Sequence, residues 1–163
     1  MEIRTERITL RPLPPAAAGM LPDDRAGAMA RIGAALATDW PQPDLLDVLP
    51  MQAVWTSLGA YGIWLIIHNA SQVVIGDVGF GGPPGDAGTL EIGYSVVPGQ
   101  RGQGIATEAV RALAAWGLSQ PAVLAIVAHC EPDNEPSIRV LERVGFVRDG
   151  SVHAQLGWRL TRT

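Results

Sequence analysis

Val96-Val97-Pro98-Gly99-Gln100-Arg101-Gly102-Gln103-Gly104-Ile105-Ala106-Thr107-Glu108 reads as a strand end, a glycine turn and a helix start in one unit. Glycines let backbone N–H groups approach an anion with no Cβ in the way. A helix N-terminus adds unpaired donors and the positive end of its dipole. The stretch is therefore a candidate diphosphate site, the alternative being a tight strand-to-helix connection and nothing more. Two nucleotide-binding loops do not fit it. A dinucleotide fingerprint needs a third glycine where Thr107 stands, and a Walker loop needs a lysine, of which the chain has none.

The segments around this unit set its context. Upstream, Thr89–Val97 alternates Leu90, Ile92 and Tyr94 with Glu91, Gly93 and Ser95, the period of a strand with two unlike faces. Before it, the apolar runs Ile63–His68 and Val73–Phe80 flank the turn-like Asn69-Ala70-Ser71-Gln72, predicting a hairpin and hence a three-stranded meander. Downstream, Ile105–Leu118 carries Ala109, Val110, Leu113 and Ala114 at helical spacing. Val123–His129 is apolar and β-branched, Asn134–Val144 places Ile138, Leu141 and Val144 inward on a helix, and Gly145 is a helix stop. Phe146–Arg148 and Ala154–Leu160 read as short late strands. At the other end, Ile8–Leu13 is a first strand, Asp23–Ala37 an amphipathic helix and Leu45–Leu58 a weaker one. The predicted order is β-α-α-β-β-β-α-β-α-β-β, with no repeat or linker.

Composition narrows the function. A chain of 163 residues, 47% of them hydrophobic, suits a single domain over 1–163. The absence of lysine excludes Schiff-base chemistry. A net charge of −4 argues against nucleic acid as a partner. The lone Cys130 cannot form an internal disulfide, and His68, His129 and His153 lack zinc-ligand spacing, so no metal is expected. With no apolar run long enough to span a bilayer and no signal-peptide core at the start, the expected location is cytoplasmic.

Asn134-Glu135-Pro136-Ser137-Ile138-Arg139-Val140-Leu141-Glu142-Arg143-Val144-Gly145-Phe146 adds a second pattern. Here the chain resembles the GNAT superfamily of acyl-CoA-dependent N-acetyltransferases, in its Rim-type branch of ribosomal-protein N-terminal acetyltransferases. Thr5-Glu6-Arg7-Ile8-Thr9-Leu10-Arg11-Pro12-Leu13 is similar to that branch's first strand, and Arg101-Gly102-Gln103-Gly104-Ile105-Ala106 to its pyrophosphate loop. Asn134-x-x-Ser137 through Gly145-Phe146 is similar to its late helix.

The resemblance implies an α/β (α+β) GNAT fold: a mixed, mostly antiparallel sheet with helices on both faces and a splayed strand pair that admits acetyl-CoA. It implies that the backbone at Val96 and Val97 holds the pantetheine arm. The amides of Arg101, Gly102, Gln103, Gly104, Ile105, Ala106 and Thr107 would hold the diphosphate, with Asn134 and Ser137 beside the pantetheine and its sulfur. Many GNAT enzymes place a proton-donating tyrosine where this chain has Leu141, and Ser137 is the position that could take the role, unless it only serves the helix start. The reaction implied is direct acetyl transfer to a primary amine in a ternary complex.

Such a transfer needs a neutral amine, and Glu91 is the candidate base, acting directly or through water, or else only binding the cationic acceptor. Asp77 and His68 are alternatives. Trp40, Trp55, Trp64 and the loop Gly81–Gly88 are candidates for gripping the acceptor, a peptide N-terminus or a small amine. The late strands and Trp158 offer an edge for a homodimer. A non-catalytic acyl-CoA-binding regulatory module is the rival reading, motivated by Leu141.

Overall fold

The computed structural model describes residues 1–54 and 56–163. Strands are β1 (Ile3–Arg4), β2 (Ile8–Pro12), β3 (Ala35–Leu36), β4 (Ile63–His68), β5 (Val73–Phe80), β6 (Thr89–Val96), β7 (Ala125–Cys130), β8 (Val147–Val152) and β9 (Gln155–Thr161). Helices are α1 (Pro15–Met20), α2 (Arg25–Ile32), α3 (Pro43–Val54), α4 (Ile105–Ser119) and α5 (Glu135–Val144). The sheet runs β1-β2-β4-β5-β6-β7-β9-β8, and β3 lies parallel against the start of β5. All other pairings are antiparallel except β6 with β7. This is the mixed, mostly antiparallel α/β sheet of the GNAT fold.

The sequence order survives with three additions, β1, α1 and β3, each too short to carry a periodic signal. Pro14 and Pro15, which read as strand-ending residues, also open α1, because a proline at the first helical position gives up only an N–H that has no partner there. The helix expected over Asp23–Ala37 is shorter. Asp24 caps it by accepting from the Gly27 N–H at 2.8 Å, and Gly33 ends it in a left-handed conformation (φ 76°), which frees Ala35–Leu36 to pair with β5. The helix expected over Leu45–Leu58 runs instead over Pro43–Val54 and contains Pro50. Ala154 is no strand residue: with His153 it turns the β8–β9 hairpin at positive φ.

The core lies on both sides of the sheet. Across β4, β5 and β6, Trp64, Val78 and Tyr94 stand in register on the face covered by α4, while Leu65, Asp77 and Ser95 stand on the other. Leu113 and Ala114 of α4 are fully buried there, and Trp116 packs its ring 5.7 Å from that of Trp64. No helix among the described residues is long and apolar enough to cross a membrane.

The feature that positions the site is the brevity of the parallel pair. β6 and β7 pair only through Thr89–Ala125, Leu90–Ile126 and Glu91–Val127. Beyond that, β6 stays with β5 as far as Val96, and β7 stays with β9 as far as Cys130. The two strands therefore splay, and the sheet opens at its middle.

Candidate active site

A cavity of about 590 Å³ fills this splay. Its walls are the end of β6, the glycine turn, the first turn of α4 and one side of α5. Gly102 and Gly104 both sit at positive φ (76° and 81°), a conformation that turns the chain sharply into α4. The first intrahelical bond is that of the Glu108 N–H to the Gly104 carbonyl, so the N–H groups of Ile105, Ala106 and Thr107 have no helical partner. Thr107 lines the cavity as well, and its buried hydroxyl has no hydrogen-bond partner. An orphaned hydroxyl beside three free amides at the positive end of a 15-residue helix is what a diphosphate requires. Arg101, Arg139 and Arg143 also line this cavity, and no carboxylate does.

The turn is held from the far side of the fold. The Glu108 carboxylate accepts from the Arg7 N–H (2.9 Å), the Arg7 Nε (2.7 Å) and the Thr5 hydroxyl, while Arg7 Nη1 donates to the Gln103 carbonyl at 2.6 Å. Burial pushes the Glu108 carboxyl up, but these hydrogen bonds and the Arg7 charge outweigh it and hold the group below the ordinary glutamate range. The opening Thr-Glu-Arg pattern thus acts on the anion site through Glu108.

Of the residues expected around a cofactor, Val96, Arg101, Gly102, Gly104, Ile105, Ala106, Thr107, Asn134 and Ser137 line the cavity. Val97 does not: it is buried, and its N–H is already spent on the Ile75 carbonyl at 2.9 Å. Gln103 faces solvent and takes part through the carbonyl that Arg7 holds. Asn134 caps α5, accepting from the Ser137 N–H at 3.2 Å, which leaves Ser137 one turn inside the helix and on the cavity wall. Leu141 is buried in the core, away from the cavity. Arg139 and Arg143, four residues apart on α5, were missed. Their spacing on one helical face was the available signal.

A second cavity of about 340 Å³ lies on the Asp77–Ser95 face, roofed by α3. Among the described residues its carboxylates are Asp44, Asp77 and Glu91, and no cationic side chain lines it. Leu45, Val48 and Ile63 supply its apolar wall. Gly93 forms part of its floor, and a Cβ there would meet nothing within 4 Å. The two cavities share Tyr94 and Ser95. Tyr94 is half-buried, its hydroxyl donates to the Ser137 carbonyl at 3.4 Å, and burial pushes its phenol up, so it stays protonated.

The carboxylates differ in setting. Glu91 is at the rim, its side chain 63% exposed and paired with His129 at 3.1 Å. Asp77 is only 7% exposed, and Trp40 Nε1 donates to its Oδ2 at 2.8 Å. Burial lifts the Asp77 carboxyl to about 6, against the pull of that hydrogen bond. His68, at the end of β4, lines neither cavity and contacts Ser71.

Two expected acceptor contacts are corrected. Trp40 and Trp64 are fully buried, Trp64 Nε1 donating to the Ala60 carbonyl at 2.8 Å, so neither offers a surface to an acceptor. Trp55 lies outside the described residues. Of the loop Gly81–Gly88, only Gly81 lines the cavity. Trp158 faces inward and is buried beneath Arg148, and β8 is the sheet's edge strand on that side, β1 being the other.

Comparison with known proteins agrees with this architecture. Residues 7–147 match the acetyltransferase (GNAT) domain model. An uncharacterized N-acetyltransferase of Bacillus subtilis, YjdG, is 32% identical over 124 residues, 74% of each chain. The solved acetyltransferase from Agrobacterium tumefaciens is 26% identical with TM-score 0.69 over 99% of this chain and 95% of that one. RimL, a ribosomal alpha-N-protein acetyltransferase solved with coenzyme A, superposes with TM-score 0.72 at 19% identity, covering 99% and 98%. The glycine turn at a splayed strand pair and the match across most of its length agree: the chain belongs to the GNAT acetyltransferase family.

Proposed function

We propose that this protein is an acetyl-CoA-dependent N-acetyltransferase that acetylates a primary amine by direct attack in a ternary complex. The observation that carries the reading is the pair of oppositely charged cavities meeting at Tyr94 and Ser95, one with three arginines and the other with three carboxylates. The first suits a polyanionic cosubstrate and the second a cationic amine. When bound, acetyl-CoA supplies the activated acetyl group.

The free amides from Ile105 to Thr107, the Thr107 hydroxyl and Arg101 hold its diphosphate, and Arg139 and Arg143 add charge along the same wall. Ser137 and the Tyr94 hydroxyl stand at the junction as donors for the thioester oxygen and the departing sulfur, where Leu141 has none to give. Glu91 and Asp44 draw the ammonium into the acceptor cavity. A peptide N-terminus is the first choice of acceptor, in line with RimL, and a small amine the second.

Titration calorimetry with acetyl-CoA, followed by a thiol-release assay over peptides and small amines, tests the proposal. Binding with turnover is expected. Binding without turnover on any amine would favour a non-catalytic acyl-CoA-binding regulatory module, and no binding would overturn the reading.

A further inference from the structure

Three carboxylates surround the acceptor cavity, and one of them differs in position as well as in burial. Asp77 is the cross-strand partner of Ser95, one of the two residues shared by both cavities. Partners in an antiparallel pair lie about 5 Å apart and project to the same face. Glu91 lies four residues down β6 from Ser95, about 13 Å along the strand. The carboxylate beside the junction is therefore Asp77.

Its orientation is fixed by the loop between β3 and α3, through Trp40. Trp40 is buried, its N–H donates to the Ala37 carbonyl at 3.0 Å, and its carbonyl accepts from Arg25. The indole so anchored occupies Asp77 Oδ2 at 2.8 Å, leaving Oδ1 as the oxygen without a donor among the described residues.

Among the described residues no cation pairs with this group. Leu65 flanks it on β4 and Ser95 on β6; neither titrates. Arg11, on the same face two strands away, is paired with Glu2 at 2.6 Å. Arg25 donates to the Ala37 and Trp40 carbonyls and Arg101 to the Val96 carbonyl and Gln42, and neither lines this cavity. Asp44 of α3 and Glu91 share the cavity and carry the same sign of charge, while the Tyr94 phenol projects to the other face and donates to the Ser137 carbonyl. A buried carboxylate with one fixed oxygen, one open oxygen and no counter-ion is built to meet a cation that arrives from outside.

We propose that Asp77, oriented by Trp40, takes the proton from the incoming ammonium, and that the acceptor is a primary ammonium beside an apolar group with no carboxylate of its own near the amine. The inference rests on the N-acetyltransferase reading. One proton passes from R–NH₃⁺ to Asp77, leaving the neutral amine. Its lone pair forms the C–N bond to the acetyl carbon while the C–S bond of acetyl-CoA breaks. The electron pair leaves with sulfur, which takes the second nitrogen proton, and Asp77 returns its own to solvent. Lifted to about 6, Asp77 is ionised at neutral pH yet basic enough to receive that proton. Leu45, Val48 and Ile63 receive the apolar group. With three carboxylates and no cation in the cavity, the α-carboxylate of a free amino acid is repelled, whereas an amide or peptide bond in its place is not.

The test uses the full chain with leucinamide and leucine as probes. With aspartate ¹³C-labelled at the carboxyl and CoA present, the Asp77 resonance, identified by its loss in Asp77→Asn, is titrated from about pH 4 to about pH 8. Asp77 is expected to titrate near 6, to fall when leucinamide is added, not to respond to leucine, and to rise in Trp40→Phe. In the transfer assay the acid limb of kcat/KM should follow Asp77 upward in Trp40→Phe. Asp77→Asn should lose about 100-fold or more in kcat with acetyl-CoA affinity unchanged, and Asp77→Glu should recover part of it. An Asp77 that titrates near 4 and ignores leucinamide, or an Asp77→Asn enzyme that turns over normally, overturns the proposal. Should Trp40→Phe fail to fold, the Asp77 variants decide alone. If the wild type binds acetyl-CoA but acetylates no amine, the transferase reading fails, while the resonance still reports whether Asp77 receives an ammonium.

Discussion

Folding takes the Asp77 carboxyl from water, where it titrates near 3.8, into a site where burial lifts it to about 6. The folded chain therefore binds more protons than the unfolded one between those values, and stability falls as pH rises through that window. Above it, the ionised group costs about 3 kcal/mol. Asp77→Asn keeps an oxygen for Trp40 Nε1 and removes the charge. It is expected to raise stability at pH 8 by about 1–3 kcal/mol, with little gain at pH 4, read by urea unfolding at both pH values. A gain at high pH together with lost turnover is the signature of strain kept for function; a loss of stability would show that the carboxylate has a structural partner. Gly104 is a second case at this scale. Valine there would meet Arg7 Nη2 at 3.3 Å from its Cβ and sit at φ +81°, so Gly104→Val should weaken acetyl-CoA binding and also destabilise the fold by about 1–2 kcal/mol, lowering Tm by about 2–8 °C. Calorimetry and thermal melting separate the two effects.

The elements matter through how they grip one another. The β1–β2 turn is clasped to α4 by Thr5, Arg7 and Glu108, so the turn carrying the Thr-Glu-Arg pattern sets the position of a loop about a hundred residues away. Arg7→Ala should raise the acetyl-CoA Kd about tenfold while leaving the acceptor KM unchanged. Because Glu108 titrates below its unfolded value, the stability it contributes is present above the ordinary glutamate pKa and is lost as pH falls through its lower folded value. The acid-unfolding curve of Glu108→Gln should lack that component. On the other side of the sheet, Gly93 leaves room that a side chain would occupy. Gly93→Leu should fold normally, bind acetyl-CoA as the wild type does and raise the acceptor KM about tenfold or more, since its side chain projects into open space in the acceptor cavity.

At the scale of the whole molecule, a modest net charge of −4 conceals a strong separation. The arginines of the turn and α5 converge on one cavity, and the carboxylates of α3, β5 and β6 on the other. In the proposed function, fields of opposite sign on either side of one strand steer two unlike substrates to a common junction. Acetyl-CoA affinity should therefore fall as salt rises from about 0.05 M to about 0.5 M, where screening shortens from over 10 Å to under 5 Å. The KM of a neutral-bodied amine such as leucinamide should rise with it, and a salt-independent affinity would place the binding energy in the backbone amides alone.

What could be read from the residues in order follows from local physics. Alternation along Thr89–Val96, helical spacing along Ile105–Ser119 and the glycines between them need only neighbours in sequence, so strand, turn, helix and the anion-binding amides were all legible. The same holds for the cap that places Ser137. Of the strands and α-helices the element order missed only β1, α1 and β3, which span one strand repeat or less than two helical turns and so show no repeating pattern. Partnerships made across the sheet were not legible. Trp40 reads as a loop aromatic and is a core residue, because β3 turns it under the sheet to meet Asp77. Glu91 and Asp77 are both strand carboxylates in the sequence, and only the register with Ser95 and the depth of burial distinguish the one at the rim from the one beside the junction. Desolvation and cross-strand register are properties of what packs alongside a residue, so the fold and the anion site were written in the chain, and the acceptor site was decided by its tertiary structure.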